Sequence, residues 1–105
     1  MVTMSPIEFD GKIFISVDVT LPKTHLIAIQ AHNGYIMCGA LDVNLLNTRL
    51  QSRHIIAGRA VGVRTVEELL NAPLESITDA AASLGITIGM TGKEALSIMY
   101  DKTSS

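Results

Sequence analysis

The chain has 105 residues, with eight basic and ten acidic side chains, a formal charge of -2 and a single cysteine. That length suits one domain with its own core. The acidic balance, without any run of lysine or arginine, excludes the basic footprint that nucleic-acid binding through phosphates requires. One cysteine excludes an internal disulfide and fits a reducing compartment. Hydrophobic residues make up 48% of the chain and charged ones 17%, which excludes disorder. So few charges on a small domain lead us to expect a homo-oligomer, with a dimer favoured. The first residues lack the charged and apolar regions of a secretion signal, and no apolar run reaches membrane-spanning length. A cytoplasmic location is expected.

The first 40 residues are strand-like. Ile13, Ile15, Val17, Val19 and Leu21 alternate with Phe14, Ser16, Asp18 and Thr20, the period of a half-buried strand. Asp10 and Gly11 form a two-residue hairpin signal that links this strand back to Ile7, Glu8 and Phe9. Pro22, Lys23 and Thr24 end it. Residues 25–31 are almost continuously apolar and read as a central strand. Asn33 and Gly34 are a strong hairpin turn, since both tolerate positive φ. The returning strand covers residues 35–38. With Asn33 and Gly34 at the tip, His32 faces Tyr35, Gln30 faces Met37 and Ile29 faces Cys38. Cys38 then shares an apolar face with Ile36 and Ile29.

Asp42 is a good N-cap for a helix over residues 43–53, with Leu45, Leu46 and Leu50 as its apolar stripe. Residues 55–63 read as a strand. Ile55, Ala57, Arg59, Val61 and Val63 share one face, and Ile56, Gly58, Ala60 and Gly62 the other. A glycine and alanine face admits a close neighbour, whether backbone, helix or ligand. Thr65 and Glu68 have capping-box spacing and open a short helix that Pro73 stops. Residues 76–79 start a second helix, which Gly85 ends. Residues 86–88 suit a brief strand. Thr91 and Glu94 form another capping box for a last helix to about Tyr100, and residues 101–105 are expected to fray. Together these elements give a single α+β domain over residues 1–105: a mainly antiparallel sheet of about four or five strands with helices on one face.

Chemistry is concentrated in few places. Cys38 stands where a strand ends and a helix is about to begin, and the positive end of a helix dipole favours thiolate. Its apolar face and the nearby Asp42 argue instead for a buried, slowly reactive thiol that serves packing. A nucleophile needs a base, and local spacing places none of His25, His32 or His54 beside it. Arg59, on an otherwise apolar strand face, must pair with a carboxylate, reach an edge or bind an anion. Arg64 precedes the Thr65 cap, where an anion is favoured. The histidines show no metal-ligand spacing, so no metal site is expected. Residues 85–93 fail the phosphate-loop spacing at Thr87 and Glu94, and no cofactor is expected. Residues 60–70 look like half of a helix-hairpin-helix module, but the residues before Gly62 read as a strand and the net charge is acidic.

The runs GYIMCGALDVNLLN at residues 34–47 and AGRAVGVRT at residues 57–65, followed by EELLNAPL at residues 67–74, resemble the signature of the YunC-like family. That resemblance covers nearly the whole chain and implies a small cytoplasmic α+β domain. The family is of unknown function, so it implies no substrate, cofactor or catalytic residue. Its motif positions fall on Cys38, Gly39, Asp42, Gly58, Arg59, Gly62 and Arg64. Two functions are expected from these residues. One is a non-enzymatic binding or regulatory module that takes a small anionic ligand between Arg59, Arg64 and the Gly58/Gly62 surface. The other is a small thiol-dependent enzyme using Cys38.

Overall fold

A computed structural model describes residues 1–39 and 54–103. Six strands form one sheet in the order β1 to β6: β1 Val2–Phe9, β2 Lys12–Leu21, β3 Thr24–Ala31, β4 Gly34–Met37, β5 Ile56–Arg59 and β6 Ser76–Ile77. Neighbouring strands are antiparallel except β4 and β5, which are parallel. The helices are α1 Val66–Asn71, α2 Asp79–Ser83 and α3 Gly92–Lys102. The fold is α+β, with one strand more than the upper end of the expected range. The helix expected over residues 43–53, with its cap Asp42, lies outside the described residues.

The two first hairpins follow from turn chemistry. Asp10 and Gly11 take φ of 55° and 72°, the left-handed pair that matches strand twist. Pro22 presets one turn position and Lys23 takes φ 60° at the next. β1 reaches back to Val2, further than Ile7, because its ladder with β2 continues past Pro6. The backbone of Met1 pairs with Thr20, so odd-numbered residues of β1 face β2 and even-numbered ones face the open edge. Pro6 is therefore an edge residue whose missing N–H costs no ladder bond.

The third hairpin departs from the expected register. Gln30 opposes Tyr35 and Ile29 opposes Ile36, so the tip is His32 and Asn33. A two-residue slip leaves every side chain on its expected face. The cause is Gly34, which is held inside β4 beneath α3. A Cβ there would lie 2.7 Å from Met99 Sδ. His32 takes the left-handed conformation in its place, at φ 50°.

One sheet face carries the core. Phe14, Ile27, Ile29 and Ile36 are fully buried beneath Leu69 of α1, Leu96 and Met99 of α3, and Leu74 and Ile86 of the connections. α3 presents Gly92, Ala95, Leu96 and Met99 to this face at helical spacing, and its capping box of Thr91 and Glu94 is complete. Thr65 caps α1 by accepting from Glu68 N–H at 3.1 Å. Glu68 returns its bond to Arg64 N–H at 2.7 Å rather than to the cap itself. Residues 76–77 form β6, and the cap of α2 is Thr78. Buried Thr78 Oγ1 accepts from both Ala81 N–H and Ala57 N–H, so one hydroxyl serves a helix end and a strand. Residues 86–88 are not a strand: 86 and 87 are irregular and Ile88 opens a turn, with Ile86 in the core and Ile88 exposed. Asp101 and Lys102 continue α3 rather than fraying, and Thr103 caps it.

Candidate functional site

Of the expected site residues, Cys38, Gly39 and Arg59 lie at the C-terminal ends of the parallel pair β4 and β5, the side of a parallel pair where open α/β sheets place ligands. Cys38 follows β4 and extends its ladder by one bond, its N–H donating to Ile27 O at 3.0 Å. It lies on the helix-covered face with Ile36 and is 5% exposed. Gly39 is exposed, and a Cβ on it would lie 3.7 Å from Val61 Cγ1 and 3.8 Å from Arg59 Nη2. It borders Arg59 from the opposite sheet face to Cys38.

Arg59 is the last residue of β5. The expected strand over residues 55–63 is shorter than its alternation suggests, and Gly62 turns the chain at φ 76°. The Arg59 backbone carbonyl accepts from Glu75 N–H at 2.7 Å. Its guanidinium meets the carboxylate of the same residue, but only at 4.0 Å between Nη1 and Oε2. Its Nε is buried and has no hydrogen-bond partner. The buried Nε is thus a donor that Glu75 does not satisfy.

Gly58 and Gly62 differ in their surroundings. Gly58 faces the core, where a Cβ would lie 2.9 Å from Leu74 Cδ1 and 3.6 Å from Ile36 Cγ2. Its close neighbour is Leu74, and strand alternation turns it away from the Arg59 side chain. Gly62 is exposed, with nothing within 4 Å of a Cβ position. Arg64 is exposed in the loop before α1. Asp42 lies outside the described residues. Arg59 and Gly39 are thus brought together, while Gly58 belongs to the packing of Leu74.

Sequence reasoning missed two features. Glu75 approaches Arg59 through the β5–β6 pairing, which no local motif announces. Asp18 and His25 are in hydrogen-bonding contact, with the imidazole Nε2 donating to the carboxylate. Pairing across the Pro22 and Lys23 turn sets His25 opposite Thr20, and Asp18 opposite Ile27. Ile27 in turn neighbours Cys38. His25 therefore sits diagonal to both Asp18 and Cys38 on one sheet face, a spacing of about 7–8 Å between diagonal backbones. Residue counting from that turn would have found this row. Among the described residues, no three His, Cys, Asp or Glu side chains gather to hold a metal ion, and no helix is long and apolar enough to cross a membrane.

Comparison with known proteins agrees with the fold and the family resemblance. Residues 37–99 match a family described as a domain of unknown function, DUF1805. The chain is 59% identical over 96 residues to the uncharacterized protein YunC of Bacillus subtilis (strain 168), covering 91% of this chain and 95% of that one. It is also similar to the crystal structure of a protein of unknown function, TA1206, from Thermoplasma acidophilum. That likeness has a TM-score of 0.83 at 27% identity and covers 94% of this chain and 93% of that one. A match over more than half the chain, joined to a relative this similar along nearly its whole length, makes this chain a member of the YunC-like DUF1805 family.

Proposed function

We propose that this domain is a binding module for a small anionic ligand, held at the ends of β4 and β5 with Arg59 as its principal contact. The observation that supports this is the state of the Arg59 guanidinium. Its Nε is buried without a partner, and Glu75 stands at 4.0 Å, too far for the short bidentate pairing arginine makes with a carboxylate. An anion with two oxygens would supply the missing acceptors. Gly39, lacking a side chain, leaves room beside Nη2. Arg64 adds positive charge from the loop that follows β5. The single cysteine supports placing the module in the reducing cytoplasm.

Calorimetric titration with inorganic phosphate and pyrophosphate tests this reading. Binding is expected to be lost in Arg59→Ala and weakened in Arg64→Ala. Unchanged affinity in the Arg59→Ala, Arg64→Ala double variant would refute it.

A second reading, a thiol-dependent enzyme, is favoured by the row of Cys38, His25 and Asp18. In it His25, oriented by Asp18, takes the Sγ proton as the sulfur adds to a carbonyl carbon, whose C=O π electron pair moves onto the oxygen. The alkylation rate of Cys38 with iodoacetamide separates the two readings. A rate above that of a free cysteine peptide, reduced in His25→Ala, supports the enzyme.

A further inference from the structure

We infer that the sheet face turned away from the helices, over β1 to β3, is the interface of a face-to-face dimer of this chain. The two faces of these strands are composed differently. On the helix-covered face, the residues these strands add beyond the core are polar: Thr3, Ser5, Ser16, Asp18, Thr20 and His25 share it, with Ser16 buried. The opposite face is apolar. Val2 is 63% exposed, Met4 65%, Ile13 56% and Leu21 48%, all pointing the same way. Val17 and Val19 lie among them, half-buried, and border a shallow apolar groove closed by Leu26, Ala28 and Met37. Glu8 is the one charged side chain these three strands place on that face.

The composition of this face favours a second copy as the occupant. Three strands spaced about 4.8 Å apart and eight residues long cover on the order of 400 Å² in plan. A patch of about 300–600 Å² is the largest that a typical monomer exposes, and such patches are often functional. Partners of another kind are usually selected by charge patterns, and this face offers one carboxylate near its end. A mainly aliphatic surface, with Thr24, Gln30 and Glu8 towards its margins, is complementary to itself, and two such sheets stack at about 10 Å through interdigitated side chains. The alternative self-association, edge pairing through β1, meets Pro6. That residue lacks an N–H on the edge where a new strand would need one. Face-to-face stacking avoids this block.

Sedimentation equilibrium of the full chain at high micromolar concentration tests the interface. The wild type is expected to have twice the 11.2 kDa chain mass. Met4→Glu combined with Ile13→Glu should give the single-chain mass with an unchanged far-ultraviolet circular dichroism spectrum. Thr3→Glu, on the other face of the same strand, should leave the dimer intact. Should the glutamate pair unfold the chain, Met4→Ser with Ile13→Ser is expected to weaken the dimer at least about tenfold while keeping the fold. A monomeric wild type would assign the face to a different partner and overturn the inference. So would a glutamate or serine variant that stays fully dimeric, or equal dissociation by Thr3→Glu.

Discussion

His32 Nδ1 donates to the carbonyl oxygen of Thr103 at 2.9 Å, tying the tip of the β3–β4 hairpin to the last turn of α3. The same nitrogen lies 3.2 Å from Tyr100 O, and the imidazole stacks on the Tyr100 ring at 4.1 Å between centroids. Both oxygens only accept, so Nδ1 carries the hydrogen. Helix C-termini leave carbonyls without partners, and this side chain supplies one from 71 residues away in sequence.

His32→Ala should therefore loosen both elements. It removes the cap and the ring stack, and puts alanine at φ 50°, where a Cβ is unfavourable. The loss is expected to be on the order of 2 kcal/mol by urea denaturation. Hydrogen exchange should quicken at the amides of residues 100–103 while those of β2 stay protected. Uniform acceleration across the chain would contradict a local capping role.

Two buried glycines should respond very differently to a methyl group. Gly92 opens α3, where Gly→Ala normally stabilises by about 0.5–1 kcal/mol. Here its Cβ would collide with the backbone carbonyl of Leu69 and with Ile36 Cδ1 at 2.8 Å. A backbone carbonyl cannot rotate away, so α3 would have to move off α1, and a loss of about 3 kcal/mol is expected. Gly34→Ala meets the Met99 side chain, which can change rotamer, and should cost about 1 kcal/mol. Equal losses of stability in the two variants would refute the assignment of which neighbour yields.

Much of the fold was legible because its signals are local. Asp10 and Gly11, the alternation of β2, and the cap of Thr91 each specify their element within a few residues. The hairpin tip was not, since Asn33 and Gly34 form the better turn in isolation. Met99 needs the space above Gly34, and His32 caps a helix formed by the other end of the chain. β6 was hidden because two residues show no periodicity, and its Thr78 looks like an ordinary helix start. Cys38 and Arg59 were legible as candidates from residue type and position. The environment of Arg59 was not, because Glu75 and Gly39 reach it through strand pairing. Gly58 misled for the same reason: the close neighbour it admits is Leu74.

Gly58→Ala separates packing from binding. A Cβ 2.9 Å from Leu74 Cδ1 should lower the melting temperature by several degrees, roughly 1–2 kcal/mol for a domain of this size. Phosphate affinity should stay as in the wild type, since Gly58 faces away from Arg59. A variant of normal stability that had lost phosphate binding would reverse the assignment.

Tyr35 contributes to the loss of stability at alkaline pH. Burial raises its pKa above the ordinary 10.0, because the phenolate is poorly solvated there. The folded state thus holds this proton more tightly than the unfolded chain. Below about pH 10 both states keep it, and its contribution is fully present. Above that value the unfolded chain ionises first, so stability falls until the folded state also ionises. Melting temperatures between about pH 9 and 11 should decline less steeply in Tyr35→Phe than in the wild type. Parallel declines would remove Tyr35 as the cause.

Cys38 is expected to behave as a packing residue under the anion-binding reading. It is almost fully buried, beside Ile36 and across from Ile27. Iodoacetamide should therefore alkylate it more slowly in the native protein than in a cysteine peptide. The rate should rise with denaturant, since reaction requires opening of the β4 end. Cys38→Ala should cost on the order of 1 kcal/mol, the penalty of a small cavity. Cys38→Ser preserves the volume but buries a hydroxyl in an apolar layer, so it should cost at least as much. Phosphate affinity should be unchanged in both, because the Arg59 guanidinium lies on the other face of the sheet. A serine variant as stable as the wild type, together with fast alkylation of the native thiol, would instead mark Cys38 as reactive and accessible.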